Sequence, residues 1–433
     1  MAGLVISPRA RIFHGHDWVY AGEIKKAFGE PKDGDVISLK DFRDRPLGSA
    51  IFNSKSQIVA RRFSRQRQDL DLEFFKRRIA QAIDYRKRRG VNPDFCRLVW
   101  SESDGLPGLI VDRHRDCLVV QTLTLAMDLR LPLIVEALRE TTQPMTIIER
   151  NDAPVRRAEG MELRTGVRWI ASSARDANPT GEAANLIASG DLDLSSRPGS
   201  PAPRPPLFPS AASEVTIHPI EMEFLGVKFS IDPLHGQKTG FYYDQIDNYR
   251  EVALCAPGRR VLDCFSHEGA FALTCARAGA SEVTAVEISA DSASRLKANA
   301  ERNGLAVRTV EENAFDFLSR EEQRGAQYDL IVLDPPSFTK SRERLGDAMR
   351  GYKEIHIRAF KLLSPAGQLA TFSCSHHVSG ALFKEMINDA LVDAKKSARQ
   401  LKTLHQAADH PILVTQPETE YLKGFLLELA PGR

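Results

Sequence analysis

The 433-residue chain has few cysteines: six, scattered, with no Cys-x-x-Cys pair and no histidine pair at metal-ligand spacing. That pattern excludes a disulfide framework and a structural zinc, and it points to a reducing compartment. No apolar run approaches the roughly 20 residues that a membrane-spanning helix needs. The first residues, Met1 to Pro8, lack the charged and long apolar parts of a secretion signal, so a soluble cytoplasmic protein is expected. Charge of one sign is also missing. With 59 Lys and Arg against 57 Asp and Glu, the formal net charge is +2, so no global basic balance announces nucleic acid. There is no internal repeat, and no Gly-x-Gly-x-x-Gly turn that would bring backbone close to a pyrophosphate, which makes a dehydrogenase the weakest of the α/β readings.

The length predicts two or three domains. Residues 1–70 alternate short strand-like pieces with Gly, Pro and Asp turns, and read as a small β-barrel. Positive charge gathers locally here: Arg61, Arg62, Arg65 and Arg67, then Lys76 to Arg78 and Arg86 to Arg89. Each cluster suits a solvated face, and together they favour a phosphate-rich substrate. An amphipathic helix is expected from Leu72 to Arg89, ending at Gly90. It opens a small central α/β domain over residues 71–185. Residues 186–213 are rich in Pro and Ser, cannot bury enough apolar surface to fold alone, and read as a linker. Residues 214–433 show strand, helix, strand in repetition, the pattern of a doubly wound sheet.

The chemistry lies at the ends of these strands. Asp263 closes the first, and Gly269 opens the turn that follows. Glu287 closes the second, where a carboxylate can accept from ribose hydroxyls. An acid-bearing turn suits a donor that carries a sulfonium and an amine better than it suits a phosphate. Asn313 and Ala314 follow the third strand, where an amide could read an adenine edge. The fourth strand runs from Tyr328 into Asp334-Pro335-Pro336-Ser337-Phe338, a rigid loop able to hold a flat base beside a carboxylate. A fifth strand ends at Ser373-Cys374-Ser375, followed by His376 and His377, which read as loop residues. A base nitrogen attacks a methyl donor directly, whereas C5 of a pyrimidine becomes nucleophilic only after a thiolate adds at C6. Cys374 therefore turns a base methyltransferase into one for cytosine or uracil C5. In the segment from His235 to Gln245, Lys238, Thr239 and Asp244 are candidates to close over the ligand or to contact phosphate.

The motifs are also specific as a set. With His16-Asp17-Trp18-Val19-Tyr20, Glu102-Ser103-Asp104-Gly105-Leu106-Pro107-Gly108, Gly236 to Gln245, the Asp-Pro-Pro loop, Ser373-Cys374-Ser375, Gln406 to Pro411 and Tyr421 to Phe425, the chain resembles the bacterial large-subunit ribosomal RNA cytosine-5 methyltransferases along nearly its whole length. The resemblance implies an N-terminal PUA domain, a central α/β domain, a Rossmann-like class I methyltransferase domain, S-adenosylmethionine as donor and Cys374 as nucleophile. Asp263, Phe265, Ser266, Gly269, Glu287, Asn313, Ala314 and Asp334 match the family's donor positions, with Asp334 also set against the base. Pro335, Pro336, Arg61 and Arg62 are the weaker candidates for RNA contact. Ribosomal RNA is the implied partner, a homodimer is compatible with the sequence, and no metal is expected. Where the family tends to read Tyr-Thr-Gly-Gly in the first turn, this chain has His267-Glu268-Gly269-Ala270, a departure at the donor turn in which a carboxylate could still face the donor's amine. The alternatives are a guanine-N methyltransferase of the same fold and a non-catalytic RNA-binding or assembly protein.

Overall fold

The computed structural model describes residues 2–171, 217–236, 239–338 and 342–431. The expected linker at residues 186–213 and Lys238 lie outside the described residues. The N-terminal strands β1 (Gly3–Ile6), β2 (Trp18–Val19), β3 (Ile24–Phe28), β4 (Val36–Lys40), β5 (Pro46–Phe52) and β6 (Ala60–Ser64) form one sheet in the order β2-β6-β5-β4-β1-β3. It closes over its own apolar core, which includes Leu4, Ile6, Val19, Ile37, Leu39 and Ala60. The helix Leu72–Arg88 follows. Asp71 caps its first turn by accepting from the Phe74 amide at 2.7 Å, and Gly90 just beyond it takes a left-handed φ of 68°.

The central domain is a sheet of β7 (Phe95–Trp100), β8 (Leu109–His114), β9 (Cys117–Thr122), β10 (Thr146–Asn151) and β11 (Arg164–Ile170), paired in sequence order. A hairpin of β12 (Ile220–Phe224) and β13 (Val227–Ile231) precedes the last domain.

That domain is built on β14 (Arg260–Cys264), β15 (Glu282–Glu287), β16 (Arg308–Glu311), β17 (Tyr328–Leu333), β18 (Leu363–Ser373), β19 (Ala398–His405) and β20 (Lys423–Leu429). They pair in the order β16-β15-β14-β17-β18-β20-β19, the first five parallel and β20 antiparallel to both its neighbours. Helices cover both faces, so the central strands are apolar on both sides. Along β17, Leu330 and Val332 enter one core, and Ile331 and Leu333 enter the other. The strand order reverses between β14 and β17, which opens a crevice at their carboxyl ends. The α/β class and the methyltransferase-like doubly wound sheet expected from the sequence are both present. Among the described residues no helix is long and apolar enough to cross a membrane.

Candidate active site

The turn after β14 is tightly wound. Phe265, His267 and Gly269 take φ values of 65°, 52° and 87°, three left-handed residues in five. A Cβ on Gly269 would come within 2.8 Å of Leu296 Cγ, so the position admits no side chain without displacement. The helix Ala270–Arg277 starts here. Asp263 is 1% exposed; its Oδ2 accepts from Ser266 Oγ at 2.5 Å and from the Ala272 amide at 3.1 Å. Its Oδ1 is buried with no hydrogen-bond partner. Burial pushes this carboxyl up to about 7 against those two hydrogen bonds, with the charges of Asp334 and Glu287 adding to the rise. A buried carboxylate with one unsatisfied oxygen is a position where a cationic group would be favoured.

Glu287, at the end of β15, accepts from the His267 amide and the Ser289 amide, each at 2.8 Å. Two backbone donors thus fix its orientation toward the turn. Asn313 caps the helix Ala314–Gln323, its side-chain oxygen accepting from the Phe315 amide at 2.8 Å. The cap uses the oxygen only, so the amide nitrogen is the end left to read a ligand edge. Ala314 is buried beneath it. Phe265 packs edge-on to Phe315 and Phe338, with ring centroids 6.5 and 6.3 Å apart, and the three rings form an apolar wall.

Across the crevice, Leu333, the last residue of β17, pairs with Thr371, two residues before the end of β18. Asp334 and Cys374 therefore leave neighbouring parallel strands at the same edge of the sheet, Cys374 two positions further along. Pro335 is buried and Pro336 exposed. Asp334 Oδ2 accepts from Gln245 Nε2 at 2.9 Å, and Gln245 is in turn fixed by Asn248, whose Nδ2 donates to it at 2.6 Å. Cys374 is half-buried against the main core. Before it, Ser373 Oγ meets Tyr352 OH at 3.1 Å; after it, Ser375 O accepts from Lys423 Nζ at 2.6 Å. His376 and His377 are exposed.

The chain is similar to known proteins over nearly its whole length. Residues 210–407 match the family described as S-adenosylmethionine-dependent methyltransferase, and residues 8–65 match a PUA-like domain. The chain is 35% identical over 432 residues to ribosomal RNA large subunit methyltransferase I of Aeromonas salmonicida, covering 98% of each chain. The chain belongs to the ribosomal RNA large subunit methyltransferase I family. The Erwinia tasmaniensis protein of that name is 35% identical over 416 residues, covering 95% of this chain and 94% of its own. In fold, the chain is similar to a methyltransferase crystallised with SAH, with a TM-score of 0.77 and 19% identity, covering 99% of this chain and 100% of that one. A SAM-dependent methyltransferase from Streptococcus mutans gives a TM-score of 0.76 at the same identity, with 99% and 100% covered.

The residues present fit the family's donor, S-adenosylmethionine. The orphaned Asp263 oxygen would take the donor's ammonium, Glu287 would face the ribose, and Gly269 keeps the turn free of a side chain. At the family departure, the Glu268 carboxylate pairs with Arg295 at 2.6 Å on the helix Ala290–Arg302.

Four residues set against substrate serve the scaffold. Thr239 is fully buried; its hydroxyl donates to Asp112 and its carbonyl lies 2.8 Å from His114 Nε2. Asp112 is held at the same time by both ends of the Arg97 fork, each at 2.8 Å, so Thr239 locks the catalytic domain to the central one. Asp244, 6% exposed, accepts from Tyr421 OH at 2.6 Å. Arg61 spans Glu102 at 3.1 Å and Glu159 at 3.4 Å, with its guanidinium over the Trp18 ring, and ties the N-terminal sheet to the central domain. Arg62 is buried against Asp17 at 2.7 Å. Charged residues in a sequence show no partner, and these have theirs inside the protein. Conversely, sequence reasoning assigned no role to Gln245 or Lys423; the signal was their place within the two unusual runs, Gly236 to Gln245 and Tyr421 to Phe425.

Proposed function

We propose that the protein methylates C5 of a cytosine in large-subunit ribosomal RNA, with Cys374 as the nucleophile. The observation that carries this reading is the placement of Asp334 and Cys374 just past the carboxyl ends of the adjacent parallel strands β17 and β18, with β17 next to the strand that leads into the Asp263 turn. The donor supplies an electrophilic methyl group. The Cys374 thiolate would add to C6 of the base and open the C5–C6 double bond, so that C5 takes the methyl group and leaves the demethylated donor behind. Loss of the C5 proton and cleavage of the C6–S bond then restore the double bond and the thiolate. Asp334, held by Gln245, accepts from the cytosine amino group and keeps the ring in the crevice. Pro335 and Pro336 make that loop rigid. The exposed Arg65, Arg67 and Arg77, on and beside the N-terminal sheet, replace Arg61 and Arg62 as the phosphate contacts, which position RNA without reading its sequence. The names of the relatives support ribosomal RNA as partner and, with it, a protein of the cytoplasm. A homodimer is the remaining partner expectation, and sedimentation of the full chain reads it.

The test is trapping with donor and RNA that carries 5-fluorocytosine. A denaturant-resistant adduct that is lost in Cys374→Ala supports both target and nucleophile. Methyl transfer to ordinary RNA without an adduct would move the reaction to a base nitrogen and sink the reading.

A further inference from the structure

Lys423 is the cation that the site has not yet used. It is 8% exposed at the start of β20, and its Cα lies opposite Ser373 in the antiparallel ladder. Its ammonium nonetheless donates to the Ser375 carbonyl at 2.6 Å and to the Tyr421 carbonyl at 2.7 Å. A side chain rooted opposite residue 373 that ends on the carbonyl of residue 375 arches over residue 374. Among the described residues no carboxylate forms an ion pair with it, and two carbonyls use two of its three N–H donors. A buried lysine without a counter-ion is costly unless something nearby takes the negative charge.

We propose that Lys423 is the charge partner of Cys374, a positioning residue that holds the thiol as thiolate through the third N–H of its ammonium. The inference rests on the reading of Cys374 as nucleophile. In the neutral pair the S–H bond breaks and an N–H bond forms on Nζ, so thiol and amine become thiolate and ammonium with no other reactant. The surroundings suit such an exchange. Burial pulls the Lys423 ammonium down to about 8, and the nearby charges of Cys374 and Glu420 oppose that fall. The other groups facing the pair are His376, whose charge is repelled by Lys423, and Asp334, Tyr242 and Tyr352 on the Cys374 side. Asp334 disfavours a thiolate, which makes a cation on the opposite side of Cys374 the more necessary.

The experiment is the pH profile of Cys374 alkylation by iodoacetamide in the full chain, read by mass spectrometry of the Cys374 peptide. It compares wild type, Lys423→Gln and Lys423→Arg, with SAH binding as the check of folding. Gln keeps a donor for the carbonyls and removes the charge. The wild-type midpoint should fall below the ~8.5 of an ordinary thiol. Lys423→Gln should raise it by about one unit, roughly a tenfold loss of thiolate near neutrality, and Lys423→Arg should stay near wild type. Superimposed profiles for wild type and a Lys423→Gln protein that binds SAH would overturn the proposal. So would a wild-type midpoint at or above the ordinary value, which needs no variant to fold. Turnover by Cys374→Ala would sink the nucleophile reading instead, and the alkylation profiles would still decide whether Lys423 and Cys374 share a charge.

Discussion

Gln245 holds Asp334 from outside the doubly wound sheet: its side-chain amide donates to the carboxylate at 2.9 Å, while Asn248 bridges Gln245 Oε1 and the His405 carbonyl. The segment from Gly236 to Gln245 thus reaches the Asp334 loop through one side chain at its end. Losing a hydrogen bond to a partly buried carboxylate costs about 1–3 kcal/mol. Gln245→Ala should therefore lower kcat/KM for RNA by roughly 10- to 100-fold. Donor affinity should stay near wild type, because Asp263, Glu287 and Asn313 are held by other partners. Turnover and SAH titration on the same preparation separate the two effects.

Asp263 sets function against stability. Its folded value near 7 lies above that of an unfolded aspartate, ~3.9, so its contribution to stability is intact below the unfolded value and is lost as pH rises toward 7. Asp263→Asn should leave Tm nearly unchanged in acid. The gain over wild type should grow between about pH 4 and 7 and then level off. Donor binding should be lost throughout, since the ammonium has no charge to meet. In the wild type, SAH affinity should rise from pH 6 to 8 as the carboxyl ionises. Scanning calorimetry across pH and binding at three pH values check both halves, and a flat Tm difference would refute the assignment.

Much of this arrangement was legible in the sequence because buried parallel strands are continuous apolar runs. Val261 to Cys264 and Leu330 to Leu333 could be read as strands, and whatever follows such a strand sits at the ligand edge. Other elements were not legible. The hairpin Ile220–Ile231 and the edge strand β19 went unread, and β19 carries Arg399, Gln400, Lys402 and Thr403 with only Leu404 buried. An exposed antiparallel edge has no apolar run to announce it. The roles of Thr239, Asp244, Arg61 and Arg62 were misread because a polar residue's distant partner is set by the fold: Thr239 finds Asp112, and Asp244 finds Tyr421.

Arg61 tests that correction. Its guanidinium is enclosed by Glu102, Glu159 and the Trp18 ring. Removing it leaves two largely buried carboxylates uncompensated, and breaking such a pair costs about 3–5 kcal/mol when fully buried, somewhat less here. Arg61→Ala should show a large fall in Tm. The salt slope of RNA binding should not change, because no phosphate contact is lost. Arg65→Ala should do the reverse, with Tm unchanged and the slope reduced by about one. A changed slope in Arg61→Ala at unchanged Tm would restore Arg61 to the RNA surface.

Gly269 is where the donor turn is least tolerant. A methyl group there meets Leu296 Cγ at 2.8 Å and Leu273 at 3.3 Å, on a backbone with φ of 87°. Left-handed strain for a residue with a Cβ is about 1–2 kcal/mol, and displacing Leu296 from the core adds to it. Gly269→Ala should therefore fold with reduced stability and a turn pushed out of register with Asp263. Donor affinity should fall by roughly tenfold or more for a shift worth about 1.4 kcal/mol. Gly258, also left-handed with φ of 73° but with nothing within 4 Å of a Cβ, is the control. Gly258→Ala should incur the backbone strain alone and bind SAH as wild type does. If both variants lose donor affinity equally, global destabilisation explains the effect and the close approach at Gly269 does not.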